Sequence, residues 1–271
     1  MKYFYVISNL SKDYVLDVQD EVQSCLEKRG AVCRYMTDYE RMKNGRHTPG
    51  EYVPEDTQCI ITIGGDGTLI QAARDLAGRN IPMLGINRGH LGFLNQVDRT
   101  EDIDAAMDAL VNERFRLEHR MMLRGTVFHE GKPVFQDIAL NEIIATSAEH
   151  LRVLRYDLAV NDEYLNEYAA DGVMVATPTG STAYNLSAGG PVMAPAGRMM
   201  AVTPVCSHTL NARSIVISEE DRVKIGLLGK GLVTFDGDTS QKTGPGDYLI
   251  VERSHTVSYT HLRAHETSLH L

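Results

Sequence analysis

The sequence predicts a Rossmann-like α/β domain followed by a β-rich, sandwich-like domain, and three observations carry that expectation. Apolar strand-like runs alternate with amphipathic helical stretches through the first part of the chain, the pattern of βαβ units on a parallel sheet. One of these runs, Cys59-Ile-Ile-Thr-Ile63, ends abruptly in the glycine-rich turn Gly64-Gly65-Asp66-Gly67-Thr68. Past about residue 113 helical periodicity nearly vanishes, and short alternating strands replace it. The expected division is 1–99 for the α/β domain, 100–253 for the β-rich domain and 254–271 for an atypical tail.

Taken in order, Lys2 to Ser8 is aromatic and β-branched, a first strand. Asp13 to Arg29 places Val15, Val18, Val22, Cys25 and Leu26 on one helical face, and Gly30 closes the helix. Ala31 to Met36 reads as a second strand. Residues 37–57 are polar and turn-rich, with Gly45, Pro49, Gly50 and Pro54, and are expected to form a mobile flap near the glycine-rich turn. Cys59 to Ile63 is apolar on both alternating sets, as a strand buried on both faces should be. The helix after it is expected from about Thr68, with Leu69, Ala72, Ala73 and Leu76 inward and an end near Gly78. Pro82 to Ile86 gives a fourth strand, and Asp102 to Asn112 a helix burying Ile103, Met107 and Leu110.

The later strands are expected at Leu123 to His129, Val134 to Ala145, Val153 to Val160, Val173 to Ala176, Ser214 to Ile217, Val223 to Leu228, Leu232 to Asp236 and Tyr248 to Val251. Asn161-Asp162 between two alternating runs reads as a hairpin turn. No internal repeat or low-complexity segment interrupts the chain.

Composition narrows the class. With 271 residues and 43% hydrophobic content, two ordinary domains with sizeable cores are affordable. No apolar stretch approaches the roughly 20 residues that cross a bilayer, and Met1-Lys2-Tyr3-Phe4 runs straight into a strand, so a soluble, cytoplasmic protein without membrane association is expected. The four cysteines, Cys25, Cys33, Cys59 and Cys206, form no Cys-x-x-Cys pair and fit reduced thiols better than disulfides or zinc. A net charge of −9 argues against nucleic acid as a partner.

The turn at 64–68 stands where backbone N–H groups at a helix start meet the crevice beyond the strand ends, a favourable place for phosphate. It fits neither Gly-x-Gly-x-x-Gly nor Gly-x-x-x-x-Gly-Lys-Ser/Thr. A tight strand-to-helix turn with a solvated Asp66 is the plain alternative. A second glycine-bearing turn, Gly85-Ile-Asn-Arg-Gly-His-Leu-Gly-Phe-Leu94, follows the fourth strand, and its His90 has no evident partner. Asn141 and Glu142 sit inside a strand otherwise suited to burial, where a sugar hydroxyl would be a good partner for the carboxylate; a strand end with both residues solvated is the plain alternative. Tyr168 to Pro191 feeds a strand into a turn crowded with Thr177, Thr179, Ser181 and Thr182, and a short helix from near Gly180 carries Tyr184, which can stack on a heterocycle.

The Gly-Gly-Asp-Gly-Thr loop resembles that of NAD kinases, diacylglycerol and sphingosine kinases and, more distantly, 6-phosphofructokinases. The pair Asn141-Glu142 and the run Asp171-Gly…Thr-Pro-Thr-Gly-Ser-Thr-Ala-Tyr-x-Leu-Ser-Ala-Gly-Gly-Pro191 narrow the resemblance to the NAD kinase family, over roughly Lys2 to Val251. The resemblance implies transfer of the γ-phosphoryl group of ATP to the 2′-hydroxyl of the adenosine ribose of NAD. It implies donor-phosphate contacts from Gly64, Gly65, Gly67 and Thr68, with Asp66 accepting the proton of the attacking hydroxyl. NAD would be bound by Asp66, Gly67, Phe93, Asn141, Glu142, Arg152, Ala169, Asp171, Thr182, Ala183, Tyr184, Asn185, Leu186, Ser187 and Asp238. The family varies in side chain at the last of these positions, and His208 to Arg213 matches a family segment of architectural character.

Magnesium is expected on the ATP phosphates and not on protein ligands, because the sequence offers no dense lysine–arginine clamp beside the turn. The resemblance further implies a homodimer or homotetramer. A kinase of a lipid or sugar acceptor and a non-catalytic dinucleotide sensor are the alternatives. The tail from Ser254 does not resemble a family ending. Its His261, His265 and His270 lack ligand spacing, and it reads as disordered or foreign to the natural gene.

Overall fold

The computed structural model describes residues 1–37, 40, 43–87, 93–149, 152–208, 212–254 and 259–264. It divides into two compact units, Met1–His119 with Tyr259–Leu271, and Arg120–Ser258. The division thus falls later than the expected 99/100 boundary, because the last helix of the first part and the strand after it pack with the parallel sheet.

In the first unit β1 (Tyr3–Ser8), β2 (Val32–Tyr35), β3 (Cys59–Ile63) and β4 (Met83–Ile86) lie parallel in the order β2-β1-β3-β4. β5 (Phe115–Arg120), which the sequence reading missed, closes one edge. All five residues of β3 are buried, as its unbroken apolar character requires. Helix α1 (Val15–Glu27) buries Val15, Val18, Val22, Cys25 and Leu26, the face expected from spacing, and Gly30 follows it at φ +75°. α2 (Asp66–Asp75) begins two residues earlier than expected and includes Asp66 itself. α3 (Ile103–Val111) packs Ile103, Met107 and Leu110 into the same core. Arg29, at the end of α1, pairs with Asp104 at 2.9 Å and Asp108 at 3.3 Å and so ties α1 to α3.

The 37–57 stretch was expected to be a flap, yet residues 48–54 are strapped down. Thr48 N–H donates to the Asp75 carboxylate at 2.6 Å, and Arg79 donates to the carbonyls of Gly50 at 2.7 Å and Val53 at 3.1 Å. Residues 38–39 and 41–42 lie outside the described residues.

The second unit is a sandwich of two six-stranded antiparallel sheets. Its strands are β6 (Leu123–His129), β7 (Lys132–Ala139), β8 (Glu142–Ser147), β9 (Leu154–Val160), β10 (Glu163–Ala170), β11 (Gly172–Ala176), β12 (Met199–Val205), β13 (Ile215–Ser218), β14 (Val223–Leu227), β15 (Gly231–Phe235), β16 (Thr239–Thr243) and β17 (Tyr248–Arg253). One sheet runs β10-β9-β14-β17-β6-β7 and the other β13-β12-β11-β8-β15-β16. Val127, Tyr156, Ile225 and Leu249 of the first meet Ile143, Val175, Val202 and Phe235 of the second in a continuous core. Gly125 on β6 makes room for this contact, since a β-carbon there would come within 2.7 Å of the Phe235 ring. Asn161 and Asp162 turn the β9–β10 hairpin at φ +52° and +66°, as their position predicts.

Three differences from the sequence expectation bear on function. The single strand expected over Val134 to Ala145 is two, β7 and β8, broken at Leu140-Asn141. β12 and β16 were not foreseen. The tail, expected to be disordered or foreign, contributes β18 (Tyr259–Ala264), placed between β4 and β5 in the first sheet. His265 and His270 lie outside the described residues.

Candidate active site

The strand β3 delivers its chain into the 64–68 turn at the end of the parallel sheet. Gly64 adopts φ +153°, and a β-carbon there would lie 2.5 Å from the Thr68 hydroxyl, so this first glycine is demanded by the turn itself. Gly65 caps α2 with extended geometry, φ −74° and ψ 176°. Neither Gly65 nor Gly67 has anything within 4 Å of where a β-carbon would stand. Local packing therefore does not explain those two glycines. Bare backbone facing open space at a helix start suits close approach by phosphate.

A cleft of about 300 Å³ opens at this place, lined by Gly65, Gly67 and Thr68 together with Ser8 at the end of β1, Asn9 and Lys12 of the β1–α1 loop, and Arg46, His47 and Thr48. The sequence offered no cationic clamp, but folding assembles Lys12 and Arg46 from positions 34 residues apart. His47 is oriented within this lining, its Nδ1 standing 3.1 Å from Asp75 Oδ1 and 3.0 Å from the Gln71 side-chain nitrogen.

Asp66 opens α2, where the helix dipole favours a negative charge. Its carboxylate accepts two hydrogen bonds from the turn after β4, from Asn95 Nδ2 at 2.5 Å and from Phe93 N–H at 2.9 Å. The Phe93 ring itself is exposed. Residues 88–92, with His90, lie outside the described residues.

In the second unit a polar cluster forms where β7 breaks into β8. The Asp236 carboxylate accepts from three consecutive backbone amides, Leu140 at 2.6 Å, Asn141 at 2.8 Å and Glu142 at 3.0 Å. Thr177 closes the other side, its N–H donating to Asn141 O at 2.9 Å and its hydroxyl to Leu140 O at 2.6 Å. A β-carbon at Gly180 would overlap the Asn141 carbonyl and sit 2.6 Å from Asn141 Cα, so the 177–182 turn can press against this backbone only as glycine. Asn141 therefore lies in the strand break, not inside a strand, and Glu142 opens β8.

Three side-chain atoms gathered here are buried and lack any partner: Asn141 Oδ1, Glu142 Oε2 and Thr179 Oγ1. Burial, reinforced by the neighbouring Asp236 charge, raises the Glu142 carboxyl to about 8. Buried polar groups are ordinarily satisfied, and leaving one unmatched costs ~1–3 kcal/mol. Three such atoms fall on residues 141, 142 and 179 of this region.

The sequence and the fold are similar to those of known proteins. Residues 10–115 match the ATP-NAD kinase N-terminal domain and residues 140–262 the ATP-NAD kinase C-terminal domain. The NAD kinase of Lachnospira eligens is 37% identical over 95% of this chain and 94% of its own length. That of Moorella thermoacetica is 38% identical over 93% of this chain and 81% of its own length. The chain belongs to the ATP-NAD kinase family. Two solved structures share its fold: a yeast NADH kinase complexed with NADH (TM-score 0.83, 21% identity, covering 98% of this chain and 84% of that one) and an Archaeoglobus fulgidus NAD kinase in complex with ATP (TM-score 0.79, 22% identity, covering 98% and 95%).

The remaining residues implied by likeness to ATP-NAD kinases fall into distinct settings. Tyr184, Leu186 and Ser187 are exposed on the short helix α4 (Tyr184–Ser187), available to a ligand, and Thr182 and Ala183 lead into it. Asn185 faces the other way. It is fully buried, donates to Ser181 O at 3.2 Å and Pro191 O at 3.0 Å, and accepts from the Thr203 hydroxyl at 2.7 Å. Both of its amide protons are taken up within the loop. A β-carbon at Gly190 would overlap that same amide.

Asp171 is exposed and stands 3.8 Å from His208 Nε2, while Ala169 O accepts from His208 N–H at 2.9 Å. These two, with the nearby His208, form a separate cluster on the β10–β11 corner. Arg152 is exposed on the loop before β9 and pairs with Glu149 at 3.7 Å. Asp238 is half-buried in the β15–β16 turn, two residues past the Asp236 clasp. Asp236, Asn95, Lys12 and Arg46 were given no role from the sequence, where each stands in a polar loop or turn.

Proposed function

We propose that this chain is an NAD kinase, transferring the γ-phosphoryl group of ATP to the 2′-hydroxyl of the adenosine ribose of NAD to give NADP. The observation that carries the reading is the trio of unpartnered buried atoms on Asn141, Glu142 and Thr179. A ribose with vicinal hydroxyls and an adenine amine supply donors and acceptors of the kind such a cluster lacks. A carboxyl held near 8 can both donate and accept there.

In this reading the donor phosphates lie against Gly65, Gly67 and Thr68, with Lys12 and Arg46 offsetting part of their charge. Asp66 takes the proton from the attacking hydroxyl as the new bond from its oxygen to the γ-phosphorus forms and the bond from that phosphorus to the β,γ-bridging oxygen breaks to release ADP; the proton transfer is typically worth ~10²–10⁴-fold. Positioning and electrostatics supply most of the remaining acceleration. A divalent ion carried on the ATP phosphates would neutralise charge there. Among the described residues no group of three His, Cys, Asp or Glu side chains converges to hold one on the protein.

The family membership and the near-full-length likeness to NAD kinases support this reading over a lipid or sugar kinase. Among the described residues no helix is long and apolar enough to cross a membrane. Purified protein incubated with magnesium, ATP and either NAD or NADH, and read by product chromatography, should yield NADP or NADPH. Nucleotide binding without any phosphorylated product would instead establish a dinucleotide sensor. Size-exclusion of the same sample tests the proposed homodimer or homotetramer.

A further inference from the structure

The carboxylate of Asp66 is gripped from outside its own turn, and the grip is built with some care. Only an amide NH₂ can face a carboxylate oxygen at 2.5 Å, so the Asn95 side chain has one allowed orientation. That orientation leaves Asn95 Oδ1 buried without a partner, a desolvation cost that a residue chosen for packing alone would avoid. Its seat is shaped by Gly85 on β4, where a β-carbon would overlap Asn95 Oδ1 and lie 3.0 Å from Cγ. Gly85 also fixes the register of the turn: its N–H donates to Gln96 Oε1 at 2.9 Å, and its carbonyl accepts from Gln96 N–H at 3.0 Å and Val97 N–H at 3.2 Å.

We propose that Asn95 is a positioning residue for phosphoryl transfer, its amide setting the torsion of the Asp66 carboxylate. Each carboxylate oxygen can accept about two hydrogen bonds. Asn95 and the Phe93 amide take one on each oxygen, and the lone pair left on each oxygen then points in a fixed direction. A hydroxyl arriving along that direction meets its proton acceptor without waiting for the side chain to rotate. Without Asn95, one backbone N–H remains, and the carboxylate swings about it. The inference rests on Asp66 being the proton acceptor of the proposed reaction.

The test uses the full-length protein with magnesium, ATP and NAD. Asn95→Leu keeps the volume and removes the donor; it should lower kcat roughly 10–100-fold while both KM values stay within about twofold. Asn95→Asp supplies a donor only when protonated, so its deficit against the parent should shrink at least about fivefold between pH 8.5 and pH 6. A donor-independent, purely structural role predicts a deficit that does not change with pH. The proposal is overturned if Asn95→Leu keeps kcat within about twofold, or if the Asn95→Asp deficit is flat with pH. Should Asn95→Leu fail to fold, the pH profile of Asn95→Asp decides alone. Asp66→Asn in the same assay separates the two levels: its activity would remove the underlying reading, whereas an inactive Asp66→Asn beside parent-like Asn95 variants removes only this inference.

Discussion

Two glycine-rich turns of the molecule, at 64–68 and 177–190, use the same residue for opposite ends. At 64–68 the glycines that matter most for chemistry, Gly65 and Gly67, have nothing near the position of a β-carbon, and they border an open cleft. In the 177–190 segment Gly180 and Gly190 are pressed against Asn141 and Asn185, so the space a side chain would need is already filled by protein. Gly65 and Gly67 leave the first turn's backbone open to the cleft. Gly180 and Gly190 are bare so that their own neighbours, Asn141 and Asn185, can close in. A glycine count alone cannot tell these cases apart; what stands beyond each Cα can.

The contrast can be broken at four points. The largest effect belongs to Asp66→Asn, which should keep NAD binding by titration calorimetry and lose ~10²–10⁴-fold in kcat. Next, Gly180→Ala forces a methyl into the Asn141 backbone and should destabilise the sandwich by ~3 kcal/mol, seen as a lower Tm together with lost NAD affinity. Gly67→Ala should do the reverse. In the first turn of α2 alanine is favoured over glycine by ~0.5–1 kcal/mol, so the protein should melt no lower, while the KM for ATP rises roughly tenfold. If Gly180→Ala proves harmless and Gly67→Ala unfolds the protein, the distinction is wrong.

The smallest effect is a matter of pH. Burial raises the Glu142 carboxyl to about 8, so the folded state holds this proton more tightly than the unfolded chain. Stability from this group is therefore lost as pH climbs from the usual carboxylate range through about 8. Glu142→Gln cannot ionise and should escape that loss. Its ligand-free form should melt higher than the parent by roughly 4 °C at pH 8.5, with the gap closing towards pH 5.

Much of this was legible in the chain. The face of α1 follows from spacing to the residue, and β3 from an unbroken apolar run, because burial and period act locally. The 64–68 and 177–191 turns announce themselves by composition. What escaped were features fixed at long range. The break between β7 and β8 depends on Asp236, which reaches back 94 to 96 residues to take the amides of 140–142, so an apolar run through Ala145 looked continuous. β16, Thr-Ser-Gln-Lys-Thr, lies at the edge of its sheet with little burial and therefore carries little hydrophobic signal. Asn95 and Lys12 acquire meaning only once β1, β3 and β4 lie side by side.

The interlock of Asn185 with Gly190 bears on how this loop can evolve. Each occupies room the other leaves, so a change at either one alone is a lesion, and a viable new sequence there has to alter both partners in a single step or pass through a weakened ancestor. A combinatorial library randomised at these two positions together should accordingly recover working solutions that no scan of one site at a time would find.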